Sequence, residues 1–196
     1  MASSARVAGH DYHRDGPYGA LFLDCDITCL APLPFVDPAV TKFGVCPHRI
    51  AEADELLFGR YNGGWVYASD PECIFRWKMY SQLSRYFDQS SLEDVVQGLP
   101  ESQVVEFGSE CNFGYWRMFQ APQPAAEIAK RFSLESAGAH PVIQYQQRPL
   151  QSVHTHFHMK HTSKGMELFN RLLRRWITRC CGTDDHPYRS VLRALS

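Results

Sequence analysis

Asp24 and Asp26 stand one residue apart at the end of a short apolar run, Leu21-Phe22-Leu23-Asp24-Cys25-Asp26-Ile27-Thr28. On an extended backbone alternate side chains share a face, so both carboxylates project from one side. Held that close they repel one another, and a cation between them relieves the repulsion. Mg²⁺ or Mn²⁺ suits such an oxygen-rich pair. The competing reading is a solvated turn after a strand, the commoner fate of any Asp-x-Asp. Further along, His154, His156 and His158 alternate in Ser152-Val153-His154-Thr155-His156-Phe157-His158. In a strand all three face one way, and a single imidazole suffices to complete a site begun by the aspartates. Three such histidines on their own are more often a surface or half-buried strand.

Two other clusters lie between these. Asn62-Gly63-Gly64 puts two residues without side chains directly before the apolar Trp65-Val66-Tyr67-Ala68. That pattern is a turn, or a loop whose backbone must approach a ligand closely while Asn62 supplies amide hydrogen bonds. Asp88-Gln89 falls between two helical patterns, where the first amides of the next helix point outward. A carboxylate and an amide there suit sugar hydroxyls or a reacting group; the plainer reading is that Asp88 starts the helix.

These residues need a frame, and composition bounds it. The chain has 196 residues, with hydrophobic content of 44% and charged content of 21%. Those values suit one soluble domain with a substantial core. Its formal net charge of −1 gives no global attraction to nucleic acid. Seven scattered cysteines lack Cys-x-x-Cys spacing. They argue against a structural zinc site or a disulfide framework and fit a reducing compartment. With no signal-peptide core and no long apolar run, the chain reads as cytoplasmic. The cysteines are read as core or surface thiols.

Residues 1–20 are polar and glycine-rich and receive no secondary structure. A short buried strand is expected over Leu21 to Leu23, a proline-rich loop over 31–38, and strands over 43–46, 65–68 and 104–107. Asp70-Pro71 caps a helix reaching about Tyr86, with Ile74, Phe75, Met79 and Leu83 turned to the core. Ser90-Ser91-Leu92-Glu93 matches a capping box opening a second helix. A third helix is expected over 124–134, with Ala125, Ile128, Ala129 and Phe132 on one side. Strands follow over 142–147 and 150–157, separated by Arg148-Pro149. The strongest helix spans Ser163 to about Cys181. Its apolar residues Met166, Phe169, Leu172, Leu173, Trp176, Ile177 and Cys180 step at three or four. Arg171, Arg174, Arg175 and Arg179 crowd its other side, a solvated face or a contact for anionic groups such as a membrane surface. Strands interleaved with helices make the chain α/β with mixed sheet order.

Taken in order, Phe22-Leu23-Asp24-Cys25-Asp26-Ile27, Arg60 to Ala68, Phe87-Asp88-Gln89 with Leu92-Glu93-Asp94, and Ser152 to Phe157 resemble the nucleotide-diphospho-sugar transferases of the GT-A fold. The resemblance covers about residues 20–160. It implies a GT-A-like mixed sheet flanked by helices over 21–196. It also implies a Mn²⁺- or Mg²⁺-dependent glycosyltransferase taking a nucleotide-sugar donor and a carbohydrate or lipid-linked acceptor. Asp24 would face the donor and the metal, and Asp26 would be the main metal ligand. Asn62, Gly63 and Gly64 would line the donor-sugar pocket, and Asp88 and Gln89 would face the reacting sugar. A late histidine completes the metal shell in related families, and His156, followed by Phe157, matches best, with His154 second. That fold normally places base-binding strands before its Asp-x-Asp. Asp24 stands close behind Met1, so the carboxyl-terminal portion of such a domain is expected, possessing activity or surviving as a non-catalytic remnant. As a runner-up, Leu21 to Thr28 also resembles the opening motif of haloacid-dehalogenase-type phosphatases, with Asp24 as nucleophile and Asp26 as acid/base, although that family's later acidic pair at a strand end is missing.

Overall fold

A tight turn at Asp24 to Ile27 joins two short strands, β1 (Ala20–Leu23) and β2 (Ile27–Cys29), which then enter different sheets. The computed structural model describes residues 18–137, 140–155 and 163–181, with Tyr188, Arg189 and Val191. After β2 come β3 (Phe43–Pro47), α1 (Glu52–Phe58), β4 (Tyr61–Ala68), α2 (Pro71–Ser81) and α3 (Leu92–Gln97). Next are β5 (Val104–Glu106), β6 (Phe113–Gly114), α4 (Trp116–Phe119) and α5 (Ala125–Ala129). The chain then forms β7 (Phe132–Ala137), β8 (His140–Tyr145), β9 (Arg148–Pro149), β10 (Ser152–His154) and α6 (Lys164–Cys180). The architecture is α/β, and the first sheet is mixed. Its order is β1-β4-β3-β5, with β1 and β3 antiparallel to β4 and β5 parallel to β3. A second sheet, β2-β10-β6, pairs β10 antiparallel to β2 and parallel to β6.

Three apolar clusters hold these pieces together. The largest packs α6 through Phe169, Leu173 and Ile177 onto Phe113, Ile143 and Val153. The solvent side of α6 carries Lys164, Arg171, Arg175 and Arg179, so burial of the opposite stripe fixes its rotation. Ser163 caps the helix, its hydroxyl accepting from the Met166 amide at 3.2 Å. The second cluster sets Phe43, Val45 and Val66 against Leu92 and Val95 of α3, and the third joins Cys46, Trp65 and Phe107. Arg117, deeply buried, ties three segments by donating to the carbonyls of Ser109 (2.7 Å), Cys111 (3.0 Å) and Pro47 (2.7 Å). Burial lowers its pKa, and the three carbonyl dipoles offset part of that cost.

Several sequence expectations need correction. Strand β1 is a half-exposed edge strand rather than a buried one, with Phe22 49% exposed. Asn62-Gly63-Gly64 lies inside β4 rather than in a turn before it. There β4 bulges against β3, the register jumping from Val45 opposite Val66 to Cys46 opposite Asn62. Helix α2 ends at Ser81 and buries Cys73, while Ile74, Phe75, Met79 and Leu83 face solvent. Apolar residues stand on both sides of α2, so its periodicity does not single out a face. Helix α3 forms, but no capping box opens it. Glu93 instead accepts from the Arg60 amide at 2.6 Å and pairs with Arg85 at 2.9 Å. The helix expected over 124–134 is confined to Ala125–Ala129, and Phe132 begins β7. Arg148-Pro149 belongs to the return strand of a hairpin that turns at Gln146 and Gln147, both at positive φ. Residues 1–17, most of the irregular segment expected at the amino terminus, lie outside the described residues. Among the described residues, no helix is long and apolar enough to cross a membrane.

Candidate metal centre

The carboxylates of Asp24 and Asp26 converge through a turn, not through strand alternation as the spacing alone suggests. The Ile27 amide donates to the Asp24 carbonyl (3.0 Å), and the Asp24 amide donates to the Gly64 carbonyl on β4 (2.9 Å). The second sheet then carries a histidine to this turn. His154 pairs with Ile27 in the β2–β10 ladder, and both the amide and the hydroxyl of Thr155 donate to the Asp26 carbonyl (3.1 and 2.8 Å). His154 Nε2 ends 2.9 Å from Asp26 Oδ1 and 3.8 Å from Asp24 Oδ2. One ligand atom from each of the three residues lies within 4.8 Å of the others. His154 is buried; the two aspartates are partly open to solvent. Among the described residues, the expected third ligand is therefore matched by His154, the second of the two candidates. His156 and His158 lie outside the described residues.

A chain of buried amides decides which imidazole nitrogen faces the aspartates. The Gly64 amide donates to Asn62 Oδ1 (3.0 Å), which fixes that side-chain oxygen as an acceptor. The neighbour that approaches the same oxygen at 2.7 Å is therefore Asn112 Nδ2, a donor. Asn112 Oδ1 is left towards His154, so His154 Nδ1 must carry the proton that it shares at 3.1 Å. The lone pair on Nε2 then points at two carboxylates. Positive charge between this nitrogen and the two carboxylates, from a divalent ion or a proton, relieves their crowding. The donor set fits the ion. An imidazole whose other nitrogen donates to an amide oxygen has the usual outer partner of a metal-binding histidine. The 2.9 Å between His154 Nε2 and Asp26 Oδ1 is that of adjacent ligands around an ion with bonds of about 2.1 Å, and Asp24 Oδ2 stands wider, 3.8 Å from the imidazole.

Gly64 is the second reason these groups meet. A Cβ built there would lie 2.5 Å from Asp24 Oδ2, 2.8 Å from His154 Cε1 and 3.0 Å from Asn62 Oδ1. The close approach foreseen for the glycine pair thus belongs to Gly64, and what it approaches is the cluster itself. A Cβ on Gly63 meets nothing nearer than 3.4 Å.

Gln89 and Asp88 stand at the rim. Gln89 Oε1 accepts from the Gly63 amide (3.1 Å) and Asn62 Nδ2 (3.2 Å), and its Nε2 donates to the Phe58 carbonyl (2.8 Å). It is a clamp on β4, with most of its hydrogen-bonding capacity spent. Asp88 is exposed, and it lines the same cavity of about 480 Å³ as Asp24, Asp26, Gly63, Gly64 and His154.

Three residues of the site escape the sequence reading: His48, Asn112 and Trp116. His48 extends the amide chain: its Nδ1 donates to the Gly59 carbonyl (2.8 Å) and its Nε2 accepts from Asn62 Nδ2 (3.1 Å). Trp116 stands edge-on between the two imidazoles, 5.7 Å from His48 and 5.1 Å from His154. The only hint of His48 is a polar residue directly after the apolar Phe43 to Pro47. Burial lowers the His48 pKa to about 4, with the nearby Arg117 and His154 adding to the shift and the Gly59 hydrogen bond opposing it. The unfolded chain takes a proton on this group near pH 6.5 and the folded chain only near 4. Stability from neutral His48 is thus full above pH 6.5 and drains as pH falls towards about 4, by about 3 kcal/mol at most. Melting curves taken from neutral pH down to about 4 should show this slope, and His48→Gln should flatten it relative to the unsubstituted chain.

The cysteines behave as read. All seven are free, with Cys46, Cys73, Cys111 and Cys180 buried, and burial raises the pKa of each of these four. Comparison of the chain with protein-family models, curated proteins and solved structures found no match in any of the three.

Proposed function

We propose that the chain is a divalent-cation-dependent glycosyltransferase, moving a sugar from a nucleotide-diphosphate donor to an acceptor hydroxyl. The observation that carries this reading is the convergence of Asp24, Asp26 and His154 Nε2 on the floor of a cavity whose walls are Gly63, Gly64 and Asp88. Asp24, Asp26 and His154 hold Mn²⁺ or Mg²⁺, and the imidazole in the set favours Mn²⁺. A cation there offsets the charge that builds on a diphosphate leaving group, a Lewis-acid role. Asn112 holds the His154 tautomer, and Gln89 holds the backbone of Gly63 where it faces the donor sugar. In the transfer, the acceptor oxygen bonds to the anomeric carbon while the bond from that carbon to the diphosphate oxygen breaks. The electron pair of the broken bond leaves with the diphosphate. Asp88, a carboxylate lining the cavity outside the ligand set, would take the acceptor's proton.

Calorimetry with a panel of uridine- and guanosine-diphosphate sugars tests this reading. At least one donor should bind with Mn²⁺ present and lose about 100-fold in affinity with chelator. Incubation of that donor with acceptor should release nucleoside diphosphate. Binding of no donor, or equal binding with and without the cation, contradicts the proposal. Release of inorganic phosphate from phosphomonoesters would favour the haloacid-dehalogenase alternative instead.

A further inference from the structure

A second cavity, of about 190 Å³, opens beside the cluster and shares Asn62, Tyr86 and Gln89 with the first. Its walls are unlike those of its neighbour. Phe58, Tyr86, Tyr115 and Trp116 supply aromatic rings, and Ile50 an aliphatic patch. Phe58 and Tyr86 meet edge to face at 4.9 Å. Tyr115 and Trp116 do the same at 5.7 Å, so the rings brace one another. Polar groups come from the side chains of His48, Asn62, Gln89 and Gln120 and from the hydroxyls of Tyr86 and Tyr115. Among the described residues that line it, not one carries a carboxylate, an ammonium or a guanidinium. Its titratable base, His48, has both ring nitrogens engaged in hydrogen bonds and stays uncharged at neutral pH. The cluster cavity, in contrast, carries Asp24, Asp26 and Asp88.

These walls select a ligand. A charged group entering would lose its water and meet no counter-charge, which costs several kcal/mol. A purely apolar group would cut polar groups such as the Gln120 amide off from any hydrogen-bond partner. A pyranose ring avoids both penalties. Its C–H face carries partial positive charge and packs on the negative face of an aromatic ring, while its hydroxyls meet amide groups at the edge. The size of the cavity suits one ring. We infer that this pocket is a subsite for one uncharged pyranose unit, and that the acceptor presented to the cluster is therefore a neutral glycoside rather than a phosphorylated or acidic one. The acceptor role rests on the transferase reading; the sugar-binding role does not.

The test uses the full chain without cation or donor, by saturation-transfer NMR. The probes are methyl β-D-glucopyranoside and methyl β-D-galactopyranoside, set against glucose 6-phosphate and N-acetylneuraminate. At least one neutral glycoside should bind in the millimolar range, at least about tenfold tighter than either charged sugar. Tyr115→Ala and Phe58→Ala should each weaken it about tenfold. Mn²⁺ binding at the cluster, retained in both variants, shows that they are folded. No transfer to either neutral glycoside, equal transfer to the charged sugars, or binding untouched by both substitutions overturns the inference. Glycoside binding together with failure of every nucleotide-sugar leaves the subsite standing and removes the transferase reading. Donor binding with no glycoside binding does the reverse.

Discussion

Gly64→Ala should abolish cation binding at Asp24, Asp26 and His154 while leaving the chain folded. The new methyl group has no room: it would lie 2.5 Å from Asp24 Oδ2 and 2.8 Å from His154 Cε1. The Asp24 carboxylate, partly exposed, can turn aside only by leaving the ligand set. The Asp24 backbone is tied to the Gly64 carbonyl, and His154 is tied to Asn112. Relief must come from opening the cluster, at an overpacking cost of about 1–3 kcal/mol. Ligands moved by about an ångström no longer surround one ion, so Mn²⁺ affinity should fall at least about 100-fold, roughly 2.7 kcal/mol. Gly63→Ala is the control. Its methyl would find its nearest neighbour at 3.4 Å, and it should keep Mn²⁺ affinity within a few-fold. Titration of both variants with Mn²⁺, beside their melting curves, checks the pair. Equal affinities in the two would show that the cluster is not built against Gly64.

The parts of this centre differ in how far the sequence betrays them, and the difference follows from range. Asp24-Cys25-Asp26 is legible because its chemistry and its geometry are local: a turn closed by one hydrogen bond suffices. The late histidine strand is legible as a pattern but not as a choice. Alternation in the sequence leaves His154 and His156 both open, and the register of β10 on β2, with Thr155 bonded to the Asp26 carbonyl, brings His154 to the turn. His48 is invisible because its partners, Gly59 and Asn62, reach it only once β3 and β4 pair, and Asn112 because its role exists only after two sheets have met. Asn112 Nδ2 bonds a side chain 50 residues away, and its Oδ1 bonds one 42 residues away.

The fold shows the same division. Helix α6 is readable because its apolar residues share one stripe opposite a row of cations, and burial of that stripe decides its orientation. Helix α2 misleads because its apolar residues are spread around it. The pocket against β4 takes Cys73, and Ile74, Phe75 and Met79 remain outside. The bulge in β4 reads as a turn because Asn-Gly-Gly serves both. Only the pairing with β1 and β3 reveals that the strand continues through the bulge.

The proposed function requires an ion at Asp24, Asp26 and His154. Mn²⁺ titration followed by electron paramagnetic resonance counts bound ions directly, and three variants divide the outcomes. The unsubstituted chain should bind one Mn²⁺ per molecule. Asp26→Asn keeps the shape of the side chain but removes its charge, and His154→Ala removes the nitrogen that faces the aspartates. Each should weaken binding at least about 100-fold, roughly 2.7 kcal/mol. His156→Ala should leave it within a few-fold, because among the described residues His154 supplies the imidazole that meets both aspartates. Stoichiometric Mn²⁺ binding that survives Asp26→Asn, or that is lost in His156→Ala but not in His154→Ala, would contradict the metal centre described above.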